Sequence, residues 1–367
     1  MANPLATKRD YWIYFAGEAG RGGDCPLYER ISTAIADDPA LQALAASAQP
    51  GQPPANMLFA AVHFLLLGGA EHPLRRYYPH LLAEGETEDS PDDRAPGHFA
   101  DFVHAHADAI RALLAARVTN TNEVRRSTYL YAGLGVIAAR EPGRDLALIE
   151  IGPSAGLNLR LDRNWYRFVK TNGWTREGGN KGSALELETE VRAGDPPVPP
   201  MPPRIGARIG LEMNPVDLGR EEDRRWLLAL LWPGPHGAAR IARMKAALAI
   251  CAEDPAPIRA GDGIALLPAA IGEIPEGMVP VVVHTMVSYQ LGAEGRAALE
   301  TALEIAGTQR PLWRLFQDRV REDDDPKRNP LRLWRYDGAT RGETLAEVHP
   351  HGAWIEWHAP PVVPSAA

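Results

Sequence analysis

The stretch L-A-L-I-E-I-G-P-S-A-G-L-N-L, Leu146 to Leu159, constrains this 367-residue chain more than any other. Its apolar run, Leu146 to Ile149, has no polar interruption, the pattern of a strand buried on both faces. Glu150 follows, and then Gly152 and Gly156 bracket Pro153, Ser154 and Ala155. Leu157 and Leu161 stand four apart, which suits the inner side of a short helix. Strand, glycine turn and helix in succession is how an open parallel sheet prepares a nucleotide site, with an approachable backbone and free N–H groups. A Gly-x-x-x-Gly turn by itself occurs in many folds, so its meaning depends on the rest of the chain.

The chain before this stretch reads as helical. The spacing predicts helices over Pro26–Asp37, Leu41–Ala48, Pro54–Leu67, Pro73–Leu82, Gly97–Arg117 and Thr121–Arg140. In the fifth, Phe99, Phe102, Val103, Ile110, Leu113 and Leu114 fall on one face. The sixth opens on T-N-T-N-E, with Asn120 and Glu123 in a capping-box relation. No strand pattern interrupts this region, and an all-helical domain over residues 1–142 is expected.

After Glu141-Pro142-Gly143 strands alternate with helices. Strands are expected at Leu146–Ile151, Arg208–Met213, Pro257–Ala260, Val279–His284 and Leu312–Phe316. Helices fall between them, over Arg220–Trp232, His236–Ala252 and Ala293–Ala306 among others. Such alternation implies a mainly parallel sheet with helices on both faces. Leu331–Tyr336, Leu345–Val348 and Ala353–Trp357 add β character, with Asp337-Gly338 as a turn, so antiparallel strands should end the sheet. Residues 166–205, rich in glycine and proline, read as an insertion in which Ala184–Val191 forms one arm of a hairpin. The expected fold class is α/β, an all-helical domain over 1–142 followed by a sheet domain over 143–367.

Composition narrows the function. A net charge of −8 argues against general nucleic-acid binding. Cys25 and Cys251 stand too far apart in sequence to suggest a disulfide framework or a cysteine zinc site. The most apolar run, Met57–Leu67, is too short to span a bilayer. The first ten residues lack a hydrophobic signal core, and a soluble cytoplasmic protein is expected. His104 and His106 point to different faces of a helix, and His349 and His351 have no acid or cysteine beside them, so no metal site is expected. The acidic run Glu322–Asp325 reads as a solvated loop.

Four positions at expected carboxyl ends of strands align as one site. They are the Gly152–Gly156 turn, Glu212 with Asn214, Asp262 and His284. An acid at the end of the second strand suits the two hydroxyls of a ribose; Glu190 is the rival if Ala184–Val191 is that strand. His284, at the end of the fourth strand, is the candidate general base. Its alternative is a buried core histidine. Asp262 could equally cap a helix. Asn122, Glu123 and Arg125 open the helix before the first strand and are candidates for the substrate side of the cleft.

These residues resemble those of S-adenosylmethionine-dependent methyltransferases of the Rossmann-like kind. The resemblance implies that Glu150, Gly152, Pro153, Ser154, Gly156 and Asn158 hold the cofactor's methionine end. Gly210, Glu212, Asn214 and Pro215 would hold its ribose, and Gly261 and Asp262 would edge its adenine. Ser154 stands where the usual turn has a glycine, and the 56 residues from Gly156 to Glu212 require the insertion to be looped out. No Asn/Asp-Pro-Pro-Tyr element follows the fourth strand, which speaks against a nucleobase amine as methyl acceptor. The whole chain also resembles a bacterial family known as domain of unknown function 2332. The segments that carry this are Gly51–Asn56, Thr121–Val124, Glu150–Leu159, Leu211–Leu218, Arg259–Asp262 and His349–Trp357. The expectation is a methyltransferase-like protein that binds S-adenosylmethionine, its acceptor unidentified. Its rivals are a nicotinamide-dependent enzyme and a non-catalytic, methyltransferase-like binding protein.

Overall fold

The computed structural model describes residues 3–120, 122–318 and 328–360. Two compact units divide the chain. One is Met1–Thr121 with Asp217–Lys245, and the other is Asn122–Val216 with Ala246–Ala367. The division therefore falls at 121/122, where the sequence suggests 142/143, and the segment after the second expected strand returns to the helical unit. Thr121 and the Glu322–Asp325 run lie outside the described residues.

The helical unit holds α1 (Arg9–Gly20), α2 (Pro26–Ile35), α3 (Pro39–Ala45), α4 (Pro54–Leu67), α5 (Ala95–Ala105) and α6 (Ala107–Ala116). Proline at the first helical position opens α2, α3 and α4, where a missing N–H costs nothing. Asp38 caps α3 by accepting from the N–H groups of Ala40 (2.9 Å) and Leu41 (3.0 Å). The helix α4 is apolar nearly all round and is correspondingly buried, with Phe59 stacked on Tyr28 at 3.9 Å between centroids. The helix expected over Gly97–Arg117 is two, broken at His106, whose φ of −117° is not helical. The helix expected over Pro73–Leu82 is a pair of 3₁₀ turns, because Pro79 removes an N–H and disfavours helical backbone at Tyr78. The sequence did not announce α1. Trp12, Phe15, Ala16 and Ala19 form its buried stripe, but Ile13 and Tyr14 are exposed and blur the pattern.

A histidine pair is built into this core. His63 Nδ1 lies 3.0 Å from the Ala229 carbonyl and its Nε2 lies 2.7 Å from His80 Nε2. The carbonyl can only accept, so His63 Nδ1 carries the proton and His63 Nε2 accepts from His80. Burial, reinforced by His80, pulls His63 down to about 3, and burial pulls His80 down to about 4. Both rings are thus neutral when folded, whereas the unfolded chain protonates them below about pH 6.5. Stability from this pair is complete above pH 6.5 and is lost as pH falls toward the folded values. Between pH 7.5 and 5 the helical unit is expected to lose about 2 kcal/mol through His63 alone. Urea unfolding at the two pH values, with imidazole resonances followed by NMR, checks this; rings that titrate near 6.5 would contradict it.

The second unit begins with α7 (Ser127–Arg140), which leads into β1 (Leu146–Ile151). The insertion then supplies β2 (Trp165–Val169), β3 (Thr175–Gly179) and β4 (Glu186–Ala193), followed by β5 (Ile205–Glu212). Next, α8 (Glu221–Ala229) belongs to the helical unit, and α9 (Gly237–Glu253) is shared between the two. The chain continues through β6 (Ile258–Ala260), α10 (Gly263–Gly272), β7 (Val279–Thr285), α11 (Ala293–Gln309) and β8 (Leu312–Gln317). It ends on β9 (Pro330–Tyr336), β10 (Thr340–Val348) and β11 (Trp354–Trp357).

Among the described residues eleven strands form one sheet, in the order β3-β2-β4-β11-β10-β9-β8-β7-β1-β5-β6. The block β6-β5-β1-β7-β8 is wholly parallel. From β8 to β11 each pairing is antiparallel, as the Asp337-Gly338 turn suggested. The architecture is therefore mixed α/β with a large, mostly parallel sheet. The insertion is not merely looped out: β4 pairs with β11 and β2, extending the same sheet.

Strand alternation assigns the faces. Ala147, Ile149 and Ile151 of β1, Val282 of β7 and Leu312 of β8 pack with α10 and α11 through Leu267, Ile271, Leu299 and Leu303. Leu315 of β8 points the other way and meets α7 so closely that a Cβ on Gly133 would lie 2.6 Å from it. Glu150 and Glu212 follow the α7 side of their strands; His284 follows the α11 side.

Candidate functional site

The parallel strand order reverses between β1 and β7, which is where open α/β sheets bind ligands, beyond the strands' carboxyl ends. Two non-glycine residues among those described have left-handed backbone, Ser154 (φ +55°) after β1 and Met286 (φ +58°) after β7. Each conformation costs on the order of 1–2 kcal/mol, and such outliers gather at functional sites. The two turns also touch: a Cβ on Gly152 (φ +69°) would lie 3.0 Å from Val287 Cγ2. Serine thus takes the glycine conformation at position 154. Gly152 and Gly156 (φ +75°) supply the flanking bends.

The reason for the bend at Ser154 is visible in Glu212. The Ser154 N–H donates to Glu212 Oε2 at 2.8 Å, and the Asn214 N–H donates to Oε1 at 2.9 Å. Asn214 therefore serves through its backbone, with an exposed side chain. Glu212 is 8% exposed and keeps lone pairs beyond these two bonds. The rival acid Glu190 lies on β4, away from β1, bonded to Arg192 at 3.0 Å. Asp262 caps α10 by accepting from the Ile264 N–H at 2.9 Å and is exposed.

Glu150 is fully enclosed on the α7 side. Asn158 Nδ2 donates to its Oε1 at 2.8 Å, while Glu150 Oε2 and Asn158 Oδ1 are both buried without a partner. Burial pushes the Glu150 carboxyl up to about 7 against the help of Asn158, and the charge on Glu212 adds to the rise. Pro153 joins the site through its carbonyl, which accepts from Asn122 Nδ2 at 3.0 Å.

Asn122 thus ties the start of this unit to the glycine turn. Glu123 accepts from the Arg125 N–H at 3.1 Å, and a 3₁₀ turn at Val124–Arg126 precedes α7, so the helix begins at Ser127. The Arg125 carbonyl packs against Gly352 (φ +71°), where any Cβ would collide with it at 2.3 Å. That contact explains why the His349–Gly352 turn requires its glycine. Arg126, which the sequence did not single out, is 8% exposed and donates through Nε to the Pro350 carbonyl at 2.9 Å. It is close enough to Glu150 and Tyr129 to influence both.

Of the two readings of His284, general base or buried core histidine, the structure places it in the core. It is 0% exposed, stacked on Phe316, and its Nε2 accepts from Arg314 Nε at 3.0 Å. Burial and Arg314 lower its affinity for a proton. It also projects to the α11 side of the sheet, opposite Glu150 and Glu212. Its Nδ1 lies 3.7 Å from Asp318, whose carboxylate accepts from the N–H groups of Val287 (2.6 Å) and Ser288. Burial opposes ionisation of Asp318, but His284 and these two amides outweigh it and hold the carboxyl below its usual range. The histidine is a core residue of the β7–β8 network.

Elsewhere, burial pushes the Cys25 and Cys251 thiols up to about 12, which leaves neither reactive. No group of three or more His, Cys, Asp or Glu side chains among the described residues is arranged to hold a metal. No described helix is long and apolar enough to cross a membrane.

Fold and site together define a mixed α/β protein with paired acids and strained turns at the carboxyl ends of parallel strands. The chain belongs to the family of uncharacterised proteins conserved in bacteria, domain of unknown function 2332, whose model matches residues 13–357. No curated protein and no solved structure matches it.

Proposed function

We propose that the protein binds S-adenosylmethionine on the α7 side of β1 and β5 and is methyltransferase-like, its parallel half-sheet being of the Rossmann-like kind. One observation carries the reading. Glu212, ending β5, turns its carboxylate onto the backbone of the glycine turn that ends β1, beside the point where strand order reverses. The block β6-β5-β1-β7-β8 has the order of a doubly wound sheet, which supports the same frame.

The residues fit such a cofactor chemically. Glu212 retains acceptor capacity for ribose hydroxyls. Glu150 Oε2 and Asn158 Oδ1 are bare buried acceptors of the kind an ammonium group satisfies. Asp262, which caps α10 just after β6, adds an acid at the margin of the same sheet. The bound cofactor supplies an electrophilic methyl group on a sulfonium, and the chain's task is alignment. His284 has no part in this reading. Its enclosure favours, as a second reading, a protein that binds the nucleotide without turning it over.

Thermal-shift titration with S-adenosylmethionine and S-adenosylhomocysteine, against NADH and ATP, tests the proposal. Stabilisation by the first two alone is expected. Stabilisation by NADH alone would replace the reading with a nicotinamide enzyme.

A further inference from the structure

Three arginines are nine-tenths or more buried among the described residues: Arg126, Arg160 and Arg314, at 8%, 7% and 1% exposure. A buried guanidinium needs a counter-charge, since desolvating it costs several kcal/mol. Arg160 has Asp254 at 2.8 Å, and Arg314 has Glu300. Arg126 has only the Pro350 carbonyl, on Nε, and no carboxylate at ion-pair distance among the described residues. Its neighbour Arg125 is likewise without a carboxylate, and the Arg125 Nε is buried and unpartnered.

Neither of the acids in its vicinity serves Arg126. Glu150 feels its charge but lies beyond pairing distance. Glu123 is bonded to the Arg125 N–H. Because Pro350 occupies Nε, the free edge of the guanidinium is its pair of terminal nitrogens. That edge matches the two oxygens of one planar carboxylate.

We infer that Arg126 receives the carboxylate of a bound ligand at the carboxyl end of β1, with the Pro350 carbonyl fixing the plane of the guanidinium. The inference adds a ligand chemistry to the cofactor site proposed above but stands on the unpaired cation. Two sources share this chemistry, the amino-acid end of S-adenosylmethionine and a carboxylic acid that accepts its methyl group.

The test compares the wild-type chain with Arg126→Met and Arg126→Lys by calorimetry. The probes are S-adenosylhomocysteine, 5′-methylthioadenosine, which lacks the amino-acid end, and the simple carboxylates acetate and benzoate. If Arg126 holds the cofactor's carboxylate, Arg126→Met weakens S-adenosylhomocysteine by roughly 10- to 100-fold and leaves methylthioadenosine unchanged. If it holds an acceptor's, both nucleosides bind both chains alike, and binding of acetate or benzoate disappears in Arg126→Met. Arg126→Lys retains the charge without the fork and should recover only part of either effect. Equal behaviour of Arg126→Met and wild type toward every probe overturns the inference, as does a wild-type chain that binds none of them. A wild-type chain that binds the carboxylates but neither nucleoside removes the methyltransferase reading and keeps Arg126. Arg126→Met removes a cation that has no carboxylate beside it, so folding stability should fall by no more than the loss of the Pro350 hydrogen bond; a larger drop shared by Arg126→Lys would assign the residue to structure and overturn the inference.

Discussion

Glu150→Gln is expected to stabilise the sheet unit by about 3 kcal/mol at pH 8 and to make no difference below about pH 4.5. The sign follows from the folded carboxyl standing at about 7, above its unfolded value of 4.5. Between those values the folded state holds a proton that the unfolded state has released. The neutral acid's contribution is therefore complete below pH 4.5 and is lost as pH rises through 7. Glutamine copies the protonated form, because its oxygen still accepts from Asn158 and its amide adds a donor among bare acceptors. Urea unfolding of both chains from pH 4 to 8 reads the difference. A constant gap across that range would show that Glu150 does not titrate there. The stabilised variant should also bind S-adenosylhomocysteine more weakly, since the charge that disfavours the apo fold is the one a ligand ammonium group uses.

The second large effect is expected on the other face of the sheet. Arg314 is 1% exposed and links three elements: Nε donates to His284 on β7, Nη1 pairs with Glu300 on α11, and the Tyr336 hydroxyl of β9 lies 3.3 Å away. Its guanidinium also lies over the Phe316 ring, 4.0 Å from the centroid. Arg314→Met leaves Glu300 without its cation and His284 Nε2 without a donor. A loss of about 2–3 kcal/mol is expected, since Glu300, at 26% side-chain exposure, partly rehydrates while the enclosed His284 acceptor does not. Arg314→Lys should restore little, because one ammonium lacks the fork that serves the histidine and the glutamate together. Denaturant unfolding measures both, and a loss below about 1 kcal/mol, the scale of an exposed pair, would contradict the network's role.

Much of the frame was legible because it is local. The run Leu146–Ile151 is buried at every position, as the unbroken apolarity of Leu146–Ile149 suggested; the burial of Glu150 was not legible there. The alternation that follows gave β5, β6, β7 and β8 close to their observed ends. The insertion was harder for a physical reason. Leu187, Thr189 and Val191 alternate correctly for a strand, but the partner β11 lies more than 160 residues along the chain. No local pattern specifies such a pairing. The sites divide in the same way. Glu212 was singled out from the residues around it, and the structure joins its carboxylate to the Ser154 N–H. His284 stands at the expected strand end on the α11 side, a face that counting by twos from Val282 assigns only once the α11 packing is known. Arg126 carried no signal beyond its neighbour Arg125. Its distinction, a largely buried cation bonded to a carbonyl and to no carboxylate among the described residues, exists only once the His349–Gly352 turn is folded against it.

Calorimetric titration of the full chain with S-adenosylhomocysteine tests the proposed cofactor site most directly, run beside Glu212→Ala. Saturable binding of about one nucleotide per chain is predicted, weakened roughly 10-fold or more in the variant by the loss of a charged acceptor. Absence of heat and of thermal stabilisation in the wild-type chain, or equal binding by Glu212→Ala, would contradict it.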